Sequence, residues 1–348
     1  WMLDRGMQSW EVDYSVNLCL KQIEDLKAFI FWPKLNQDVL DLNNLGVFLE
    51  GYLFGSYVVS RRFSLDTLHL FTTSLYLDHD WIGKPEEGFP GALEKAREVY
   101  GKGLCHVVYV RGISNEDSVK IKKEIREQFN FGFNSVHSTD NNTETCRVID
   151  FVTPTSGISS IVGMEPFRYN ESLYRVLDFR SKLLDLEVSF DNFLIDGSTV
   201  LAMYGIRNAQ DLDYINITPN LTVSNKLKGL GFDSHNEFLE LSDKEIKLLS
   251  TNQKLQVRVF DMVFFTLEGV KSMKLRKMSD PKSFADIELI DRKLRQSKSS
   301  LKHFMIRKKS DYRILIRKIQ KAAIIKFFET LRIFRLYGIL KFLYDKFK

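Results

Sequence analysis

Residues 193–215, FLIDGSTVLAMYGIRNAQDLDYI, hold the side chains with the clearest chemical use. Gly197 and Ser198 are small residues opening a helix-like run, where free backbone N–H groups and the helix dipole receive a phosphate. Asp211 and Asp213 flank Leu212; at i and i+2 on a strand, both carboxylates leave on one side and can hold one or two hard cations. Together these are the parts of a metal-assisted phosphoryl or nucleotidyl transfer site.

Elements on either side must position them. Phe193, Leu194 and Ile195 form a short apolar run ahead of Asp196. Leu201 and Met203 to Ile206 give a helix starting at Gly197 one buried face, with Gly205 and Asn208 as stop signals. Asp211 and Asp213 then open a neighbouring strand. Further on, LQVRVFDMVFF alternates Val257 and Val259 before Asp261 and a closing aromatic run, a strand-like pattern that offers another carboxylate.

The arrangement resembles the nucleotidyltransferase superfamily over about residues 172–295, whose motif is a Gly-Gly/Ser pair, a spacer and then Asp-hydrophobic-Asp/Glu. Gly197, Ser198, the twelve residues TVLAMYGIRNAQ, Asp211, Leu212 and Asp213 match it, whereas Asp196 stands where the family usually has a hydrophobic residue. The local text looks most like the minimal and AbiEii-like branch, with a weaker likeness to the LicD and fukutin phosphotransferases. The resemblance implies an α/β (α+β) fold with a mixed sheet and flanking helices. It also implies Mg²⁺ or Mn²⁺ on Asp211 and Asp213, with Asp261 as third ligand or as base for the acceptor hydroxyl. Gly197 and Ser198 then cradle the phosphates of a nucleoside triphosphate or nucleotide-activated donor. A later basic segment resembles the AbiEii-like pattern through Lys271, Lys274, Arg276, Asp280 and Asp286, its cations neutralising phosphate charge. The other readings are a toxin-like nucleotidyltransferase acting on RNA, a glycosyltransferase using a DxD, and a non-catalytic nucleotide-binding protein with a degraded site. DLD follows the polar Arg207 to Gln210 rather than ending a buried apolar run, which favours nucleotidyl transfer over sugar transfer.

The rest of the 348 residues, 44% hydrophobic and 27% charged, reads as a globular chain of more than one part. The expected division is a mainly helical region 1–104, a small α/β unit 105–165, the transferase-like domain 166–300 and a tail 301–348. Val16, Leu20, Ile23 and Phe29 have helical spacing up to Pro33. His106 to Val110 reads as a strand, while Ser114 with Asp117 and Asn141 with Glu144 read as helix N-caps. His137, Asp140 and Glu144 stand in a loop where they could contact a ligand, and Asp78, His79 and Asp80 read as a polar turn. Cys19, Cys105 and Cys146 are odd in number and far apart, so no disulfide partner is expected and a reducing, cytoplasmic setting fits. No basic n-region with an apolar h-region marks a signal peptide, and no charge-free apolar run approaches the roughly 20 residues of a spanning helix.

The total charge of +5 hides an asymmetry: residues 301–348 carry 14 Lys and Arg against 3 Asp and Glu, so +11 there leaves −6 for the rest. Ile316, Ile319, Ala323, Phe327, Leu331 and Phe334 follow helical spacing with Arg and Lys mainly on other faces. Such a helix lies on an anionic membrane surface, here the inner face, each nearby cation adding roughly 1 kcal/mol; RNA phosphates or the acidic body are the other partners it fits. On the membrane reading, anionic vesicles float the full chain but not a chain ending at 300; equal partitioning of the two removes the membrane role.

Overall fold

The computed structural model describes residues 16–35, 57–129, 132–153, 160–218, 220–236, 239–276 and 281–295. The tail and Asp280 lie outside these. The described residues up to Ile290 form one compact unit built on two sheets. The class is mixed α/β, of the α+β kind, with helices flanking both sheets.

The first sheet has the order β2-β3-β1-β4, from strands β1 (Leu26–Phe31), β2 (Tyr57–Arg61), β3 (Cys105–Arg111) and β4 (Val136–Ser138). Every pairing in it is antiparallel. Its helices are α1 (Leu65–Leu75), α2 (Pro90–Val99), α3 (Asn115–Phe129) and α4 (Asn142–Val152). The expected caps form: Ser114 Oγ accepts from Asp117 N–H and Asn141 Oδ1 from Glu144 N–H. α3 sets Ile121 and Ile125 on Phe29, Phe31, Val108 and Val110. On the other side Phe151 of α4 meets Phe71 and Phe63, and Phe71 meets Trp32.

Two expectations are corrected here. Among the described residues of 11–31 the expected helix covers 16–21, and LKAFIF is instead β1, buried along its whole length. A short run that is apolar but for Lys27 satisfies helix and central strand alike, and pairing on both edges decides for the strand. Consequently the small α/β unit does not begin at 105, because β1 and β2 from the supposed helical region supply half of its sheet.

The second sheet, β7-β6-β5-β9-β8, contains β5 (Phe193–Asp196), β6 (Asp213–Asn216), β7 (Asp233–Ser234), β8 (Gln256–Val259) and β9 (Met262–Phe265). β5 runs antiparallel to β6 and parallel to β9, while β8 and β9 form a hairpin. Its helices are α5 (Asn170–Asp185), α6 (Gly197–Met203), α7 (Leu221–Gly229), α8 (Asp243–Thr251) and α9 (Leu267–Leu275). Phe179 of α5 packs against Phe193, Tyr214 and Phe232, seating that helix on β5 and β6.

An ionic clasp joins the two sheets. The β8–β9 hairpin turns on Phe260 and Asp261, both at positive φ (55° and 65°), as a two-residue loop between right-twisted strands requires. Arg147 of α4 grips the Asp261 carboxylate with two bonds of 2.8 Å, and Arg180 of α5 donates to it at 2.7 and 3.0 Å. Both arginines also reach Asp78, at 2.6 and 3.0 Å, so the polar turn after α1 is a working part of the clasp. Burial alone would raise the Asp261 pKa; the Arg147 and Arg180 guanidinium groups reverse this and hold it below the ordinary carboxylate value. The charged carboxylate is therefore the form that stabilises the fold. That contribution is complete above the unfolded value of about 3.9 and disappears as pH falls through the lower folded value. Asp261→Asn is expected to lower unfolding free energy by about 3 kcal/mol at pH 7, since it leaves the buried Arg147 and half-buried Arg180 with only the exposed Asp78 as counter-charge. The difference from wild type should shrink in urea titrations below about pH 4.

Candidate active site

The antiparallel register of β5 and β6 sets Asp196 directly opposite Asp213. The DGS and DLD segments therefore meet at one end of the second sheet, β5 ending where β6 begins. Leu212 is buried, which turns Asp211 and Asp213 outward on either side of it. Ser198 Oγ donates to Asp211 Oδ1 at 3.1 Å, and Thr199 Oγ1 donates to the Asp211 carbonyl at 3.0 Å. These two bonds hold the aspartate pair against the first turn of α6.

α6 has seven residues, all buried. Gly197 opens it at φ +63°, and a Cβ there would lie 2.6 Å from Asp213 Oδ2. Glycine is thus required twice, for the left-handed backbone and for the approach of the carboxylate. The loop after α6 is tied to α5: Ser172 Oγ donates to Asn208 Oδ1 at 2.6 Å and accepts from the Ala209 N–H at 3.0 Å.

His235, just after β7, completes the cluster. Its Nε2 is 3.0 Å from Asp213 Oδ1 and its Nδ1 is 3.5 Å from Asp196 Oδ2. Burial opposes the imidazolium, but the two carboxylates outweigh it and carry its pKa up to about 9. Asp196 is 3% exposed, and its Oδ1 has no hydrogen-bond partner. No motif announces His235; the only signal is a two-residue strand beside β6, too short to read from sequence.

A cationic group stands beside the acidic one. Arg207 chelates Asp286 with bonds of 2.7 and 2.9 Å, and Lys274 of α9 reaches the same carboxylate at 2.7 Å. Asp286 is 2% exposed, and these two cations hold it ionised against the cost of burial. Arg207 is itself raised, first by its bonds to Asp286 and further by Asp211 and Asp213. Arg207 and Lys274 together outnumber their shared carboxylate, and Arg207 lies within electrostatic reach of Asp211 and Asp213.

The structure thus brings together Gly197, Ser198, Asp211, Asp213 and Lys274, and adds Asp196, Arg207, His235 and Asp286. It does not bring Asp261, whose expected role as third ligand or base is corrected. Because β9 runs parallel to β5, Leu194 faces Val263 and Ile195 faces Phe264, so the residue before β9 lies at the far end of β5 from Asp196. Arg276 points elsewhere, pairing with Glu245 at 2.5 Å. Lys271 is half-buried one turn before Lys274 on the same helix. His137 lies in β4 and Glu144 in the first turn of α4, not in a loop, and buried Glu144 is 3.3 Å from His79 and 3.6 Å from His137.

Gly197→Ala is expected to lower stability by about 1–3 kcal/mol through backbone strain and displacement of Asp213, read as a drop in thermal midpoint. A melting curve equal to wild type would mean that Asp213 does not depend on that backbone. No family model, curated protein or solved structure matches the chain.

Proposed function

We propose that this chain is a Mg²⁺-dependent nucleotidyl- or phosphotransferase. The observation that carries the reading is the strand register that sets Asp196, Gly197 and Ser198 against Asp211 and Asp213, with Arg207 and Lys274 alongside. The DLD segment opens β6 instead of closing a strand, which supports nucleotide over nucleotide-sugar as donor. The likeness to LicD-type proteins points to a surface-glycan or lipid-linked acceptor, a likeness of sequence text alone.

The donor set fits magnesium. Its oxygens are hard, and Asp196 Oδ1 is a buried lone-pair donor that accepts no hydrogen bond. Among the described residues no group of three His, Cys, Asp or Glu side chains is disposed to hold a metal by itself. Magnesium needs no such cage, because it is held by one or two carboxylates plus the oxygens of substrate phosphates. Asp211 and Asp213 would hold it, and when bound it polarises the transferred phosphorus and neutralises the leaving oxygens. Arg207 and Lys274, kept in place by Asp286, take the remaining phosphate charge. His235 orients the Asp213 carboxylate through Nε2 and places its Nδ1 beside Asp196.

Titration with a fluorescent ATP analogue is expected to show binding in MgCl₂ and none in EDTA. Asp211→Asn and Asp213→Asn should each weaken it by roughly tenfold or more, equivalent to about 1.4 kcal/mol. Unchanged Mg²⁺-dependent binding in both variants would overturn the assignment. UDP-sugars binding in place of triphosphates would move it to sugar transfer, and incorporation of label into RNA would move it to the toxin-like class.

A further inference from the structure

The first sheet carries a crevice that nucleotidyl transfer does not use. β3 and β4 both run antiparallel to β1, hence parallel to each other, and each leads into a helix. The helices leave on opposite faces. α3 lies on the side of Phe29 and Val108, whereas Thr153, ending α4, bonds the hydroxyl of Tyr109 on the reverse side at 3.0 Å. Divergence of this kind opens a crevice outside the carboxyl ends of the strands, the place where open α/β sheets take their ligands. Here it is a cavity of about 280 Å³, lined among others by Asp25, Lys27, Ser114, Asn115, Asp140 and Asn142.

Lys27 is what needs explaining. It is 9% exposed, and its Nζ donates to Asn115 Oδ1 at 2.6 Å and to the Thr139 carbonyl at 3.2 Å. Both acceptors are neutral. Among the described residues no carboxylate lies within ion-pair distance of it, so a buried lysine borders the cavity with only neutral acceptors on its Nζ. The nearby acids are placed otherwise: Asp140 faces Lys122 at 3.8 Å, and Asp25 is exposed at the rim. The first turns of α3 and α4 add to the positive side. Their caps engage Asp117 N–H and Glu144 N–H, while the preceding N–H groups have no acceptor within the helix.

We propose that this crevice binds a phosphate monoester of sugar size, its anionic oxygens against the Lys27 ammonium and its hydroxyls against Asn115, Asn142 and the Asp25 rim. The volume sits at the small end of ligand pockets, which suits a monosaccharide phosphate rather than a nucleoside triphosphate. The amide of Asn115 relays position from helix to lysine, so a carboxylate there would supply the missing counter-charge and close the site to anions.

Calorimetry on the full chain in EDTA, which silences any Mg²⁺-dependent nucleotide binding, tests this with ribose 5-phosphate, inorganic phosphate and ribose. Ribose 5-phosphate should bind, inorganic phosphate more weakly and ribose not at all. Lys27→Met and Asn115→Asp should each weaken ribose 5-phosphate by roughly tenfold or more, the scale of one charge-assisted contact. Asp213→Asn should leave it unchanged, which separates this site from the aspartate pair. Asn115→Asp is the decisive variant because it preserves shape and gives Lys27 an ion-pair partner; circular dichroism matching wild type certifies its fold. The proposal falls if wild type binds neither phosphate, if Asn115→Asp binds as wild type does, or if inorganic phosphate binds as tightly as ribose 5-phosphate.

Discussion

The Asp261 carboxylate is the constraint on which the rest of the structure leans. It sits in a hairpin turn of the second sheet and is gripped by one arginine from the first sheet's helix α4 and another from α5. Two guanidinium groups brought this close repel each other and are dehydrated together, so they can share the space only while an ionised carboxylate lies between them. The turn accepts two non-glycine residues at positive φ to deliver that carboxylate, an arrangement that persists only where surrounding contacts over-determine it. One aspartate therefore couples backbone strain, sheet-to-sheet packing and charge balance, and Asp78 extends the same network to the end of α1.

A different logic governs the opposite end of β5. There the aspartates are held by hydroxyl donors, by a backbone approach that only glycine allows and by a half-buried imidazole. The loop behind them is tied to α5, whose Phe179 also packs on Phe193 and Tyr214. The same helix thus fixes both ends of the strand, through the Asn208 tie on the Asp196 side and through Phe179 on Phe193 with Arg180 on the other. Rigid support of this kind is what a charge-stabilising site needs, because donors already in place require no reorganisation when charge develops.

Parts of this were legible from residue types alone. The Ser114 and Asn141 caps carry their mechanism in the sequence, since a short acceptor followed three positions later by an acidic residue meets the same N–H wherever it begins a helix. The DGS and DLD segments were legible as neighbours because the helix joining them is short and wholly buried. Strand direction was not: nothing in LQVRVFDMVFF tells whether β9 runs with β5 or against it, and that choice decides whether Asp261 stands beside Asp196 or at the far end of the sheet. The spacing through β1 reads as helix because LKAFIF is apolar but for Lys27, and only its partners across the sheet remove the ambiguity. His235 and Lys27 were invisible for a related reason: each gains its meaning from a neighbour distant in sequence.

The placement of β1 also sets a clock on synthesis. This central strand spans residues 26–31, yet its partners are residues 105–111 and 136–138. At the usual 5–20 residues per second, roughly 5 to 20 s pass between emergence of the apolar LKAFIF segment and arrival of both edges that cover it. Until then it is an unpaired hydrophobic strand on a ribosome-bound chain, a natural target for chaperone capture and for intermolecular pairing. Yield on expression should therefore respond to translation speed between residues 32 and 138 more than to changes elsewhere in the chain.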